Sequence, residues 1–118
     1  MLKLNHKKLA VWDKSLRLIK EVYKLTNRLP KEEKYVLTSQ LRRASISVAS
    51  NIAEGASRKS INDRKRFYEI SRSSSVEIDT QIENCKLLEY FKDNELNDLD
   101  AELNNVFALL TAMINNTK

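Results

Sequence analysis

The 118-residue chain contains one glycine, Gly55, and one proline, Pro30. These two residue types interrupt regular structure most strongly, so long stretches of this chain lack any signal that would end a helix. Apolar residues recur at intervals of three and four, and the strict alternation of a half-buried strand is absent. The sequence therefore predicts an all-α protein.

Helix-breaking and helix-capping residues divide the chain into four predicted helices. Pro30 restricts the preceding residue to extended conformations, which separates a first helix over about 10–28 from a second over about 31–56. Ser60 and Asp63 resemble a capping box, in which the serine oxygen accepts a hydrogen bond from a free amide. A third helix is expected to begin there and to reach about residue 90. We expect Asp93 to cap the fourth helix.

Short connections make successive helices antiparallel, so we predict an up-down-up-down four-helix bundle. Residues 1–118 form one domain that is large enough to bury a core, and a polar segment over residues 1–9 precedes the first helix. The first helix carries two apolar stripes, one formed by Trp12, Leu16, Ile19 and Tyr23 and the other by Val11, Leu18, Val22, Leu25 and Leu29. The predicted core stripe of the second helix comprises Leu37, Leu41, Ala44, Val48 and Ile52. One face of the third comprises Phe67, Ile70, Ser71, Ser74, Ile78, Gln81, Cys85 and Leu88, and the stripe of the fourth comprises Leu96, Leu99, Leu103, Val106, Leu110 and Met113.

The second helix carries a second apolar face beside its core stripe. A helix with two such faces is expected to contact two partners, so we interpret the second as an interface. Between the faces lies a polar wedge formed by Arg43, Ser47, Ser50, Asn51 and Glu54. The interface face comprises Tyr35, Ile46, Ala49 and Ala53, with Arg42 beside it.

Charge is unevenly distributed along the chain. Residues 1–66 contain 17 Lys or Arg against 6 Asp or Glu, whereas residues 67–118 contain 4 against 10. Three interpretations are open: a basic surface for nucleic acid, subunits that match basic to acidic faces, or well-solvated helices. The candidate nucleic-acid-binding residues are Lys14, Arg17, Lys20, Lys24 and Arg28 on the first helix and Arg58, Lys59, Arg64, Lys65 and Arg66 around the turn between helices two and three.

The sequence contains few of the residues that enzymes use for catalysis. His6 is the only histidine and lies in the polar N-terminal segment, so Ser-His and Cys-His pairs are not expected. Cys85 is the only cysteine and is predicted to be a buried core residue. The composition lacks the ligand sets of zinc and di-metal sites and the glycines of phosphate loops. We therefore expect no catalytic residue, no metal and no cofactor.

The N-terminal segment lacks the apolar core of a signal peptide, and no apolar run approaches the roughly 18 residues of a membrane span. We therefore expect a cytoplasmic protein with no membrane partner. The serines between Ser71 and Ser75 are more numerous than bundle packing requires. We interpret them as small residues that permit close helix packing.

Four segments resemble a known family when they are taken in order. They are Leu9-Ala10-Val11-Trp12, Leu29-Pro30-Lys31-Glu32-Glu33, Leu37-Thr38-Ser39-Gln40-Leu41-Arg42-Arg43-Ala44 and Ser50-Asn51-Ile52-Ala53-Glu54-Gly55. The chain resembles the bacterial 23S rRNA intervening-sequence proteins, also called S23 ribosomal proteins. Such proteins are often encoded inside insertions in large-subunit rRNA genes, and the resemblance implies a four-helix bundle without an established activity.

The family is in turn similar to the accessory variability protein of diversity-generating retroelements. That protein is a basic four-helix bundle whose pentameric ring engages reverse transcriptase and nucleic acid, so the resemblance implies a homopentamer. Arg42, Arg43, Asn51 and Glu54 match motif positions of the family. They are expected to form either a polar network that orders the bundle or its subunit contact, or a direct ligand site.

Two hypotheses for the function follow. The first is a non-enzymatic, oligomeric bundle that binds RNA or a ribonucleoprotein through basic faces. The alternative is a structural protein-protein interaction module without a nucleic-acid ligand, in which basic and acidic halves complement each other between subunits or recruit a protein partner.

Overall fold

Four antiparallel α-helices form the protein in a computed structural model that describes residues 1–117. Helix α1 packs beside α2 and α4, and α3 packs beside the same two helices, with the most extensive contacts between α2 and α3. This arrangement confirms the predicted all-α four-helix bundle. The helices are α1 (Ala10–Thr26), α2 (Ser39–Ser57), α3 (Ile61–Leu87) and α4 (Asn97–Asn116), with short helical turns at Asn5–Lys8, Lys31–Glu33, Lys34–Thr38 and Asp93–Glu95.

The start of the second helix differs from the prediction. A 3-10 turn and a π-helical turn occupy residues 31–38, and regular α-helix begins only at Ser39. A π turn carries more residues per turn than an α-helix and so changes which side chains face the core. Leu37 remains buried as predicted. Tyr35 is 82% exposed, more than any other aromatic residue of the described chain.

The predicted cap at the start of α3 is present, whereas the predicted cap of α4 is not. The backbone amide of Asp63 donates a hydrogen bond to Ser60 Oγ at 3.2 Å, as the capping box predicts. Asp93 instead begins a 3-10 turn, and its carboxylate lies 3.1 Å from Lys86 Nζ. The prediction that Asp93 caps the fourth helix was therefore wrong, because the ion pair with α3 holds its side chain.

The predicted stripes of α2 and α4 are mostly buried, whereas the buried side of α3 is rotated from the predicted face. Of the two apolar stripes of α1, the structure buries the one that contains Val11, Leu18 and Val22. Tyr68 and Ile82 are buried, while Ile70 and Leu88 are exposed and Phe67 is only half-buried. Helix α3 has few large apolar residues, so its sequence defines the buried side weakly. The buried side of α3 comprises Tyr68, Ser71, Ser74, Ser75, Ile78, Ile82 and Cys85.

Small residues bring α2 and α3 close together. Ser71 Oγ donates a hydrogen bond to the Val48 carbonyl at 2.7 Å, and the hydroxyl oxygens of Ser47 and Ser74 lie 2.9 Å apart. A Cβ atom built on Gly55 would lie 2.7 Å from Cε1 of Tyr68. The serine-rich run thus serves close packing, and the chain's one glycine stands where the helices leave no room for a side chain.

The N-terminal segment is part of the packed structure. The ring of His6 is buried and meets that of Trp12 edge-on, with centroids 4.5 Å apart. The turn Asn5–Lys8 contacts both α1 and α2. His6, which the sequence analysis placed in the polar N-terminal segment, is thus packed against the bundle, because its ring meets that of Trp12.

Cys85 is fully buried, as predicted. Burial, followed by the charge of Glu33, raises the pKa of the Cys85 thiol to about 11. Glu33 also accepts a hydrogen bond from the Tyr90 hydroxyl at 2.7 Å, which raises the pKa of Tyr90 to about 12. Across residues 1–117, no helix is both long and apolar enough to cross a membrane.

Candidate nucleic-acid interface

Antiparallel connectivity gathers basic residues from three segments at one end of the bundle. The start of α1, the end of α2 and the start of α3 lie at this end, and the N-terminal turn packs against α1 and α2. Three acidic residues, Asp13, Glu54 and Asp63, also lie at this end. We call this region the basic end, and it comprises Lys3, Lys7, Lys8, Arg58, Lys59, Arg64, Lys65 and Arg66.

Phe67 is surrounded by two arginines of the basic end. The guanidinium carbons of Arg58 and Arg66 each lie 4.8 Å from the centroid of its ring. Arg58 also lies 3.2 Å from a carboxylate oxygen of Glu54, and Arg66 lies 3.8 Å from one of Asp63. The sequence had placed Phe67 in the core, which was wrong, because neighbouring Tyr68 fills that position.

Arg64 lies beside the buried ring of Tyr68. Burial raises the pKa of the Tyr68 hydroxyl, and the nearby charge of Arg64 opposes that rise. Arg64 Nε is itself buried and has no hydrogen-bond partner within residues 1–117. Lys59 and Lys65 form no ion pair in the same part of the chain.

The cations on the basic face of α1 lie beside carboxylates. Arg17 pairs with Asp13 at 3.1 Å, and Lys24 pairs with Glu21 at 3.4 Å. Arg28 pairs with Glu95, and that hydrogen bond holds the pKa of the Glu95 carboxyl below its usual value. A shallow groove between α1 and α4 is lined by Arg17, Lys20, Glu21, Lys24 and Glu102. Basic and acidic halves of the sequence therefore meet within a single chain along this face.

Arg42 links the end of α1 to α2. Its Nε donates a hydrogen bond to Thr26 Oγ1 and a terminal nitrogen donates one to Asn27 Oδ1, both at 2.8 Å. Its guanidinium carbon also lies 4.6 Å from the ring centroid of Tyr23. Among the other motif positions, Arg43 is exposed, Glu54 pairs with Arg58, and Asn51 donates to the carbonyl and hydroxyl of Ser47.

The second apolar face of α2 is only partly exposed. Ile46 is 43% exposed and Ala53 is half-buried, whereas Ala49 is only 6% exposed. The assignment of Ala49 to an interface was therefore wrong, because the bundle itself already covers this residue. On the neighbouring helix α1, Leu16 and Tyr23 are exposed. We call Leu16, Tyr23, Ile46 and Ala53 the α1–α2 apolar face.

Lys3, Lys7 and Lys8 are the members of the basic end that sequence reasoning missed. Their position depends on the packing of His6 against Trp12, which anchors the preceding turn. The available signal was a histidine placed close before a tryptophan in an otherwise polar segment. Charge alone could not show that this segment joins a cluster formed by residues more than 50 positions away.

Fold and site together define a four-helix bundle with a cationic end and a partly uncovered apolar face. The family model for 23S rRNA-intervening sequence proteins matches residues 7–112. The chain therefore belongs to the 23S rRNA-intervening sequence protein family.

A solved structure from Bacteroides thetaiotaomicron is similar to this chain. It is described as a protein of unknown function from the S23 ribosomal protein family. The two share 24% sequence identity with a TM-score of 0.82, over 90% of this chain and 96% of the other. At this identity the likeness supports the fold. No curated protein matches the chain.

Proposed function

We propose that this protein is a non-enzymatic RNA-binding protein of the bacterial cytoplasm that contacts RNA phosphates through the basic end. The observation that carries the proposal is the convergence of eight cations from three chain segments at an end of the bundle with three carboxylates, those of Asp13, Glu54 and Asp63. Clustered Lys and Arg residues neutralise phosphates and release counterions, which is the main source of sequence-independent affinity for nucleic acids. The family name refers to an rRNA insertion and gives RNA as the first ligand to test.

The basic end supports this role better than the basic face of α1. Three of the five cations assigned to this face, Arg17, Lys24 and Arg28, already pair with carboxylates, whereas two of the eight at the basic end, Arg58 and Arg66, do so. Helix α4 adds Glu102 to the same groove. A phosphate approaching this face would have to compete with charges that the protein holds in place, so we expect the α1 face to contribute little.

Replacement of both Lys59 and Lys65 by alanine tests this proposal. Each lysine that contacts a phosphate contributes roughly 0.7 to 0.9 to the slope of log K against log salt. We expect about tenfold weaker binding to a labelled RNA stem-loop with a single-stranded tail, with a slope shallower by about 1.5. Fluorescence anisotropy between 50 and 200 mM salt, an interval over which such contacts weaken markedly, would measure both quantities.

Lys31→Ala with Lys34→Ala is the matched control, because these exposed lysines carry the same charge at the opposite end of the bundle. This control should retain wild-type affinity and slope. Equal losses in both variants would contradict a localised site. Failure of the wild-type protein to bind the stem-loop at 50 mM salt would overturn the proposed function.

Self-association is a second proposal, and the α1–α2 apolar face supports it. Ile46, Leu16 and Tyr23 expose apolar surface on neighbouring helices. Surface of this kind marks interaction sites when the residues are contiguous. We propose that this face joins copies of the chain into a homo-oligomer, for which the family resemblance implies five subunits. In the structural-module alternative, this assembly is the protein's whole role.

Ile46→Glu tests the assembly. A carboxylate at the centre of an apolar contact should shift the light-scattering mass towards that of one chain, 13.7 kDa. Ser50→Glu, an exposed change one turn further along α2, should leave the assembly intact. An unchanged mass for Ile46→Glu, or a monomeric wild-type protein, would contradict the proposal. An oligomer that binds no RNA would favour the structural module.

A further inference from the structure

We infer that the basic end recognises double-helical RNA by its phosphate backbone and does not bind unpaired bases by stacking. The inference rests on the proposed function, because it names the form of RNA that this same site accepts. It is carried by two observations. The aromatic rings at the basic end are buried or packed against other side chains, and two arginines there are held by an aromatic ring and by carboxylates.

Each aromatic ring of the basic end is buried or packs against another side chain. Proteins that bind single strands stack successive bases on exposed aromatic side chains. Here His6 and Tyr68 are buried, and Trp12 is half-buried with its ring against His6. Phe67 is the remaining ring, and the guanidinium groups of Arg58 and Arg66 lie against it. A base that stacks on Phe67 would therefore compete with these arginines for the ring.

The highly exposed Tyr35 does not change this conclusion. It lies in the turn before α2, at the opposite end of the bundle from the basic end. Lys34 Nζ lies 5.4 Å from the centroid of its ring, but Glu32 and Glu33 offset the charges of Lys31 and Lys34 in the same turn. The exposed ring of Tyr35 is thus far from the basic end and lies in a segment without net positive charge.

Phe67 packs against two arginines of the basic end. Because both guanidinium carbons lie 4.8 Å from one ring centroid, they are within twice that distance of each other. Glu54 and Asp63 contact the same two arginines and limit their movement further. Guanidinium groups that are already ordered in this way can each bind a phosphate, and the ordering lowers the entropic cost of that binding.

The shape of the basic end also favours a duplex. The bundle has principal extents of 44, 28 and 20 Å, so its end is a broad surface over which cations from three segments are spread. The main grooves lie along the sides of the bundle, between α3 and α4 and between α1 and α4. Double-stranded RNA is recognised largely by shape and by phosphate and 2′-hydroxyl contacts, which such a surface can make.

Competition between two probes tests the inference. The probes are a blunt 20-base-pair RNA hairpin and a 20-nucleotide oligouridine, measured with the wild-type protein at equal salt; a duplex-binding domain spans about 16 base pairs. We expect the hairpin to bind at least tenfold more tightly, with little change when its sequence is scrambled. Equal or tighter binding of oligouridine would overturn the inference and leave the proposed function standing, whereas binding of neither probe would overturn both.

Substitution of Phe67 distinguishes the positioning of arginines from base stacking. Phe67→Leu preserves every charge, and we expect it to weaken hairpin binding about threefold to tenfold while oligouridine binding stays as weak as before. Phe67→Tyr retains the ring and should restore hairpin affinity. Circular dichroism and the unfolding midpoint check that the variants are folded. A selective loss of oligouridine binding in Phe67→Leu would show that bases stack on the ring and would overturn the inference.

Discussion

We expect Ala49→Glu to unfold the protein. A charge at this position would cost little stability if the second face of the helix were exposed. Ala49 is only 6% exposed within its own chain. An ionised carboxylate buried without a partner is costly enough that the group neutralises or the structure opens. We expect a loss of about 4 kcal/mol or more, a large part of the roughly 5 to 15 kcal/mol that stabilises a typical domain.

Urea denaturation followed by circular dichroism would measure this loss. Ile46→Glu is the matched control, because Ile46 lies one turn earlier on α2 and is 43% exposed. The control should keep its helical signal and lose assembly, whereas Ala49→Glu should lose both. A folded but monomeric Ala49→Glu protein would show that Ala49 is uncovered in the free chain, contrary to the structure.

Gly55→Val is expected to destabilise the protein by about 3 kcal/mol or more, and Gly55→Ala by a smaller amount of about 1 to 2 kcal/mol. A Cβ atom at position 55 would lie 2.7 Å from Cε1 of Tyr68 and 3.1 Å from Cβ of Phe67. Helix propensity acts in the opposite direction, since alanine exceeds glycine by about 1 kcal/mol within a helix. Packing decides the sign, because Tyr68 is buried and cannot swing into solvent.

A double-mutant cycle isolates that packing effect. In a Tyr68→Ala background the ring is gone, so Gly55→Ala should become neutral or stabilising by up to about 1 kcal/mol. Chemical denaturation of the four proteins gives the coupling energy directly. A Gly55→Ala protein that is more stable than wild type in the original background would contradict the close approach of α2 and α3.

Gly55 also connects stability to the candidate site. The close approach that it permits sets Phe67 of α3 beside the end of α2, and Arg58 follows that end. The position of Arg58 over the ring of Phe67 therefore depends on a glycine that carries no functional group. We expect Gly55 variants that remain folded to bind RNA less tightly than their stability alone would suggest.

The contrast between basic and acidic halves of the sequence has a partly internal explanation. Arg28 of the loop after α1 pairs with Glu95 before α4, and Glu102 lies in the groove beside Arg17. Exposed ion pairs of this kind contribute little to stability. Their effect is to reduce the positive potential along α1, which leaves the basic end as the more strongly cationic surface.

Local signals in the sequence determined the helical class, the number of helices, the Ser60 cap and the buried stripes of α2 and α4. Periodicity, capping and the rarity of Gly and Pro act within a few residues, so they can be read from a short window. The family motif likewise lies within contiguous segments. These features therefore needed no knowledge of what packs against each helix.

Only the tertiary structure decided which side of α3 is buried, where His6 lies, and that Ala49 is already covered. In each case the outcome depends on a neighbouring element. Tyr68 replaces Phe67 in the core because Gly55 on α2 leaves space for its ring, and the α3 sequence is too polar to fix that rotation alone. The basic end has the same origin, since packing joins lysines near the N-terminus to arginines more than 50 residues later.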